Sequence, residues 1–289
     1  MPLSPPIAAL VKQFHARKPA RIWSLIVTLY GDAIVPRGGS LWIGSLIELM
    51  ALFEIEAGHV RTAVSRLSAD GWLASSKRGR ASFYRLTKSG EAEFLQATQR
   101  IYAGVPEQRG EVQVVVIGPK AGDPAALRAG LMRAGYAVLS PVIHVGIEPV
   151  PDDLTAHDGV FVMIPRREDR YALAAAAFKL DDVSQAYRDF VTLFAPLSEA
   201  QDGKPLTQED ALVARTLLIH AFRRVVLRDP GLPADLLPPD WQGNAARALA
   251  GRIYARVVGP SERFLDRHGK TEVGALPPPE PAFHRRFLA

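Results

Sequence analysis

Apolar residues recur at helical spacing through much of the first hundred positions. A dense apolar run over 21–35 (RIWSLIVTLYGDAIV) predicts a helix ending near Gly31-Asp32. A loop, Pro36-Arg37-Gly38-Gly39-Ser40, leads to a short strand at Leu41-Trp42-Ile43 and a second helix over 44–53. Gly39 and Gly44 ahead of Ser45 imitate a phosphate loop but lack the lysine that one requires. After the break at Ala57-Gly58, Val60, Val64 and Leu67 fall at i, i+4 and i+7, which puts them on one inward face of a third helix. His59, Arg61, Thr62, Ser65 and Arg66 occupy the other face. Asp70-Gly71 stops this helix, and Trp72-Leu73 begins an extended segment. Lys77-Arg78-Gly79-Arg80 forms a turn, and Phe83, Arg85 and Leu86 lie on the returning strand.

Two helices, a third with a polar face, and a basic hairpin, in that order, make the pattern of a winged helix-turn-helix. A helix of about twelve residues is roughly 18 Å long, enough to lie in a major groove. Arginine there can donate two hydrogen bonds to guanine, and threonine or serine can reach base edges or phosphates. Cations at a hairpin tip do not pack a core. Against DNA, Lys77, Arg78 and Arg80 would displace counterions and make affinity depend on salt. Each residue alone also fits a solvated helix face or an exposed turn, so it is the ordered set that points to duplex DNA.

The remaining pattern is mixed. Residues 1–20 are an arm or an added helix, and 87–102 a linking helix. A first linker is expected at 103–110 and a second break at 196–205. Between them, VQVVVI near 112–117 predicts a buried strand. Asp123-Pro124 starts a helix that Gly135 ends, with Asp123 as its cap. Extended pieces follow at 137–139, 141–145 and 159–164. This strand-helix-strand-strand order suggests a small ferredoxin-like sheet. Residues 171–194 read as helical, broken near Leu180-Asp181. Thr207-Gln208-Glu209-Asp210 opens a helix to about Leu227, and another runs over 242–258 before a Pro-rich tail from Gly269.

Composition narrows the chemistry. The chain has 289 residues, no cysteine and a formal charge of +5. Residues 1–102 hold 13 Lys and Arg against 7 Asp and Glu, and the rest is nearly neutral, so the basic excess coincides with the DNA-reading pattern. Disulfides and thiolate metal sites are excluded. No apolar run has the length of a membrane span, and the N-terminus lacks a signal-peptide pattern, so a cytoplasmic protein is expected. The seven histidines show no paired-ligand spacing, and no nucleophile elbow or dinucleotide fingerprint occurs. No catalytic site, metal or cofactor is therefore expected.

LYGDAIVPRGGSLWIGSLIELM, VRTAVSRLSADGWL and GRASFYRLTKSG, with LLIHAFRRVVLRDPGLPADLLPPDW and RIYARV far downstream, resemble the PaaX family of phenylacetate-degradation repressors. The likeness is dense at both ends and thin between about 112 and 200. It implies an α+β protein of three parts: a winged helix-turn-helix within 21–102, a central ferredoxin-like (Cas2-like) domain at 111–200, and a mostly helical C-terminal domain at 205–289. It also implies a homodimer on double-stranded operator DNA, released by an aryl-CoA thioester such as phenylacetyl-CoA. The Cas2 likeness raises a nuclease alternative, which needs an aspartate after the first strand. Asp123 is better used as a cap. For the effector, His220, Arg223, Arg224 and Arg228, with Arg247, Arg252 and Arg256 on the later helix, could converge on CoA phosphates. Trp241 and Tyr254 are candidates to line the acyl slot. The competing reading is structural: Arg223 or Arg224 would pair with Asp229, Asp235 or Asp240, and both aromatic residues would belong to the core.

Overall fold

A computed structural model describes residues 2–16, 22–102, 110–199 and 206–288. The expected linker at 103–110 falls outside them except for Gly110; of the expected break at 196–205, residues 196–199 instead continue a helix through Pro196, and the rest lies outside the described residues. The chain is mixed helix and sheet and divides into two compact units. The first comprises Met1–Gly104, Phe190–Leu227 and Ala245–Ala289, and the second Val105–Asp189 with Arg228–Asn244.

The first unit opens with α1 (Pro5–Ala16), whose Ile7, Leu10, Val11 and Phe14 are buried, so the described part of the expected arm is an added helix. Helix α2 (Ile22–Leu29) does not stop at Gly31. It widens into a π turn over Tyr30–Ile34 and tightens into a 3-10 turn over Val35–Arg37, ended by Gly38 at φ +86°. π turns concentrate where a helix carries a special side chain, and here all five residues, Asp32 among them, are buried. Gly31 is required because a Cβ there would lie inside the Phe94 ring. Strand β1 (Leu41–Trp42), α3 (Ile43–Ala51), α4 (Ala57–Ala69), β2 (Leu73–Arg78), β3 (Ala81–Leu86) and α5 (Lys88–Tyr102) follow. Their three-stranded antiparallel sheet has the order β1-β3-β2, with Trp42 opposite Phe83 and Arg78 opposite Ala81.

The second unit contains β4 (Gln113–Ile117), α6 (Pro124–Arg133), β5 (Ala137–Ser140), β6 (Ile143–Gly146), α7 (Asp152–Thr155), β7 (Val160–Met163), α8 (Arg167–Phe178) and the start of α9 (Leu180–Glu199). The sheet is antiparallel, in the order β5-β6-β4-β7. Alternation along β4 feeds two cores: Val114 packs with Val145, Ala174 and Leu180, and Val115 with Ile117, Leu127 and Leu131. Lys179, at φ +51°, makes the break between α8 and α9.

The chain completes the first unit with the end of α9, α10 (Gln208–Val226) and α11 (Gly243–His268), then a hairpin of β8 (Lys270–Thr271) and β9 (Gly274–Ala275). Thr207 caps α10 by accepting from the Asp210 amide at 3.0 Å. Helix α11 runs ten residues beyond the expected end at Val258 and passes through Pro260. The expected separate C-terminal domain is not what forms. Helix α10 is buried along most of its length, packs on α1 and α2, and shares their core. Its apolar positions are too numerous for one face, which a helix needs only when it is enclosed.

Candidate nucleic-acid interface

Helix α4 buries Val60, Ala63, Val64 and Leu67 and leaves His59, Arg61, Thr62, Ser65 and Arg66 exposed. Two of the five have local partners: Thr62 Oγ1 donates to the Gly58 carbonyl at 3.0 Å, and Arg66 lies 3.8 Å from Asp70. An exposed i,i+4 pair of that length is weak and easily exchanged for another anion.

The β2–β3 hairpin turns through two residues, Gly79 and Arg80. Gly79 takes φ +60° at the first loop position, where a type II′ turn needs glycine. Lys77, Arg78 and Arg80 are exposed at this tip. Arg78 is also anchored: its guanidinium donates to the Glu272 carbonyl in the β8–β9 turn. The Glu272 carboxylate accepts from Ser40 Oγ at 2.7 Å and Ser76 Oγ at 2.8 Å. Those hydroxyls, the Ser40 bond foremost, hold its carboxyl below the usual range.

Between α4 and the sheet lies an open cavity of about 400 Å³ lined by Ile43, Arg61, Val64, Ser65, Ser68, Ser75, Ser82 and Tyr84. Ser68 Oγ is buried there with no hydrogen-bond partner among the described residues. Sequence reading found Arg61 and Ser65 but missed the other hydroxyls. Alternation places Ser75 and Ser82 on a strand face, but only the packing of α4 turns that face into a groove.

Behind the helices sits a buried ionic network that the sequence did not disclose. Asp32 Oδ2 accepts from Arg215 Nε at 2.6 Å, and Oδ1 accepts from Tyr102 (2.5 Å), Tyr254 (2.9 Å) and Arg286 (3.0 Å). Glu262 joins Arg215 at 2.5 Å and Arg37 at 2.8 Å, and Arg37 also meets Asp266. Burial opposes the charge on Arg215, but Asp32, Tyr254 and Glu262 outweigh it and keep the guanidinium protonated. Burial first, then the Asp32 charge, pushes the Tyr102 hydroxyl up. Three arginines meet three carboxylates, so the network is charge-balanced and holds the N-terminal helices to α10, α11 and the tail.

The proposed effector residues are divided between the two units. His220 is buried, its Nδ1 3.1 Å from Thr28 Oγ1. Tyr254 belongs to the Asp32 network. Arg223 contacts Ser24 Oγ at 3.4 Å, and burial lowers its pKa. Arg224 and Arg228 are exposed, but α10 ends at Val226, so the expected 220–224–228 stripe does not continue to Arg228. In the second unit, Trp241 packs edge-on to Tyr187 at 5.3 Å. Asp229 accepts from Tyr187 at 2.7 Å and Asp240 from Arg188 at 2.5 Å. Arg247 donates to the carbonyls of Arg100 and Ile101 (3.3 Å) and Arg256 to that of Leu197 (2.8 Å). Those are helix C-termini, whose unpaired carbonyls favour cations. Asp123 caps α6, accepting from the amides of Ala125 and Ala126 at 2.9 and 3.2 Å. Among the described residues no group of three or more metal-ligating side chains gathers, and no helix is long and apolar enough to cross a membrane.

Residues 21–90 match the family described as PaaX-like protein, and 178–267 the PaaX-like protein C-terminal domain. The chain is 35% identical over 283 residues to the Escherichia coli protein named Transcriptional repressor PaaX, covering 91% of this chain and 89% of that one. The chain belongs to the PaaX family. PaaX-type architecture thus embraces both the basic N-terminal elements and the helices that close the Asp32 network. A solved structure, the uncharacterized protein Rv0674 from Mycobacterium tuberculosis, is similar over 76% of this chain and 89% of its own, at 22% identity and a TM-score of 0.46.

Proposed function

We propose that this protein is a DNA-binding transcriptional repressor of phenylacetate catabolism, not an enzyme. The similarity to a named repressor along nine-tenths of the chain carries this reading. The exposed polar face of α4 beside a basic hairpin supplies the chemistry for it.

In this reading α2, α3, α4 and the β1-β3-β2 sheet act as a winged helix-turn-helix. Helix α4 enters the major groove. Arg61, Arg66, Thr62 and Ser65 contact base edges and flanking phosphates, and His59 meets the groove entrance. Lys77, Arg78 and Arg80 hold the phosphate backbone. Serine hydroxyls of the α4–sheet groove are placed to donate to one further phosphate oxygen. The second unit, βαββαβ in order β5-β6-β4-β7, has the connectivity of a ferredoxin-like domain. The repressor works in the cytoplasm as a homodimer on a palindromic operator, and an aryl-CoA thioester such as phenylacetyl-CoA releases it. To do so the thioester must bind the released conformation more tightly than the DNA-bound one.

The test is a fluorescence-anisotropy titration of DNA from upstream of the gene's own neighbourhood. Phenylacetyl-CoA is added against free CoA and phenylacetate. Release by the thioester alone is expected. Tight binding that ignores all three keeps the repressor and removes the effector. Binding no tighter to that DNA than to random duplex sinks the operator reading.

A further inference from the structure

Phe287 fills a slot with aromatic walls. Its ring centroid lies 5.3 Å from that of Tyr102, edge-on, 5.3 Å from that of Tyr254 and 6.0 Å from that of Phe222. On α11, Arg247, Gly251 and Tyr254 fall at i, i+4 and i+7 and share one face. Gly251 lets the Phe287 backbone come close: a Cβ there would stand 3.4 Å from Phe287 Cβ. The Arg247 guanidinium lies 5.5 Å over the Phe222 ring. It donates to the Arg100 and Ile101 carbonyls, and Arg100 in turn donates to those of Val226 and Leu227 at 3.2 and 3.4 Å. Two guanidinium groups thus stand beside three aromatic rings, all within the first unit.

The occupant is loosely held. Phe287 takes φ +59°, in the left-handed region that a bulky side chain rarely adopts. Strain of this kind collects at ligand clamps and switch segments. The residue is half-buried, and its N–H donates to the Tyr102 carbonyl at 3.1 Å. Leu288 beyond it is 76% exposed. Arg286, one residue earlier, is the opposite. It is almost wholly buried, donates to the Asp32 carbonyl and carboxylate at 2.6 and 3.0 Å, and stacks on Tyr102 at 4.2 Å.

We infer that this slot is a binding site for the aromatic ring of a ligand, and that Phe287 is the plug such a ring displaces. The ligand class is an aryl group on an anionic carrier. The ring takes the place of Phe287 between Tyr102, Tyr254 and Phe222, and the carrier's phosphates lie along Arg247 and Arg100. The aryl-CoA thioester of the proposed function has both parts, and the inference rests on that reading. A ring entering the slot expels Phe287, and the displaced backbone draws Arg286 off Asp32. The π turn ahead of α3 and α4 then loses a donor. Expulsion also relieves the left-handed strain, which offsets part of its cost. The two arrangements therefore lie close enough for a ligand to choose between them.

Because Phe287 competes with the ligand, removing its ring should help binding rather than harm it. Calorimetric titration of full-length Phe287→Ala with phenylacetyl-CoA is expected to show about tenfold tighter binding than the unaltered protein, the size of one strained side chain taken out of competition. Free CoA, which lacks the ring, should bind both proteins alike. Equal or weaker thioester binding by Phe287→Ala would overturn the plug. A reporter that keeps the side chain covers the case in which that variant does not fold. With para-fluorophenylalanine at position 287, saturating phenylacetyl-CoA should move the fluorine resonance to its solvent-exposed position, and free CoA should leave it in place. A resonance that does not move in a protein occupied by the thioester overturns the slot and leaves the effector reading standing. A thioester that binds neither protein and leaves DNA bound brings down the effector reading, and this site with it.

Discussion

The Arg215 guanidinium on α10 donates to the Asp32 carboxylate at 2.6 Å, across 183 residues of sequence, with both side chains almost wholly excluded from water. Asp32 lies in the π turn between α2 and the elements that carry α4. The bond therefore ties the N-terminal helices to a helix encoded far downstream.

Removing one member of such a buried pair leaves a charge without its counter-charge, which costs about 3–5 kcal/mol. Asp32→Ala should destabilise the first unit by about that much, since Arg215, Arg286 and two tyrosine hydroxyls lose one acceptor together. Combining it with Arg215→Met should cost less than the sum of the single changes, because the second change removes the stranded charge. Urea denaturation of the three variants measures this. An Asp32→Ala loss under about 1 kcal/mol would show that the network is idle.

At the interface, the two kinds of cation should separate by assay. Arg61→Ala should cost about 1–3 kcal/mol of operator affinity and relax sequence preference, as expected of a base contact. Arg80→Ala should weaken all duplexes alike and reduce the salt-dependence slope by about one. Both residues are exposed, so melting temperature should stay unchanged. If Arg61→Ala binds with full affinity and specificity, α4 is not the reading helix.

Glu272 supplies a pH signature. Its carboxyl is held below its ordinary value of 4.5, chiefly by Ser40, so the folded state prefers it ionised. The stabilisation is present above 4.5 and is lost as pH falls through the lowered folded value. The gap in melting temperature between the unaltered protein and Glu272→Gln should therefore be widest near neutrality and close in acid. A gap that is constant with pH would contradict the assignment.

His144 acts oppositely in charge but in the same pH direction. It is fully buried in β6 with neither ring nitrogen bonded among the described residues, and burial, then Arg128, lowers its pKa from 6.5. The unfolded chain takes up a proton below 6.5 while the folded chain does not, so stability falls as pH drops from 6.5 towards the folded value. His144→Leu should remove that slope and be neutral or stabilising at pH 5.5, since an unsatisfied buried donor goes with it. Parallel melts at pH 5.5 and 7.5 test this, and a larger loss for His144→Leu at the lower pH would refute it.

Much of the secondary structure was legible because each piece is signalled locally. Val60, Val64 and Leu67 mark α4, Gly79 marks the hairpin turn, and Asp123-Pro124 and Thr207 mark helix starts. The exposed set on α4 followed directly, since a helix with one apolar stripe leaves the rest outside. The Asp32 network was not legible. Its members are spread from residue 32 to residue 286, and an aspartate at Gly31-Asp32 looks the same in sequence whether it ends a helix or anchors a core. The surroundings of the arginines of α10 and α11 were hidden for a related reason. Spacing on a helix tells which side chains share a side, but not that Arg247 and Arg256 finish the carbonyls of other helices. The end of α10 at Val226, which breaks the 220–224–228 stripe, is likewise set by what the chain does next.

Arg286 reaches back to the Asp32 carbonyl at 2.6 Å over 254 residues. During synthesis the Asp32 network cannot be completed until that arginine has left the ribosome. At about 5–20 residues per second, that comes roughly ten to fifty seconds after Asp32 emerges. A chain that has not reached Arg286 therefore carries α4 and the β2–β3 hairpin without the last donor of the Asp32 network. The Asp32 network is thus completed only when synthesis has nearly reached residue 286.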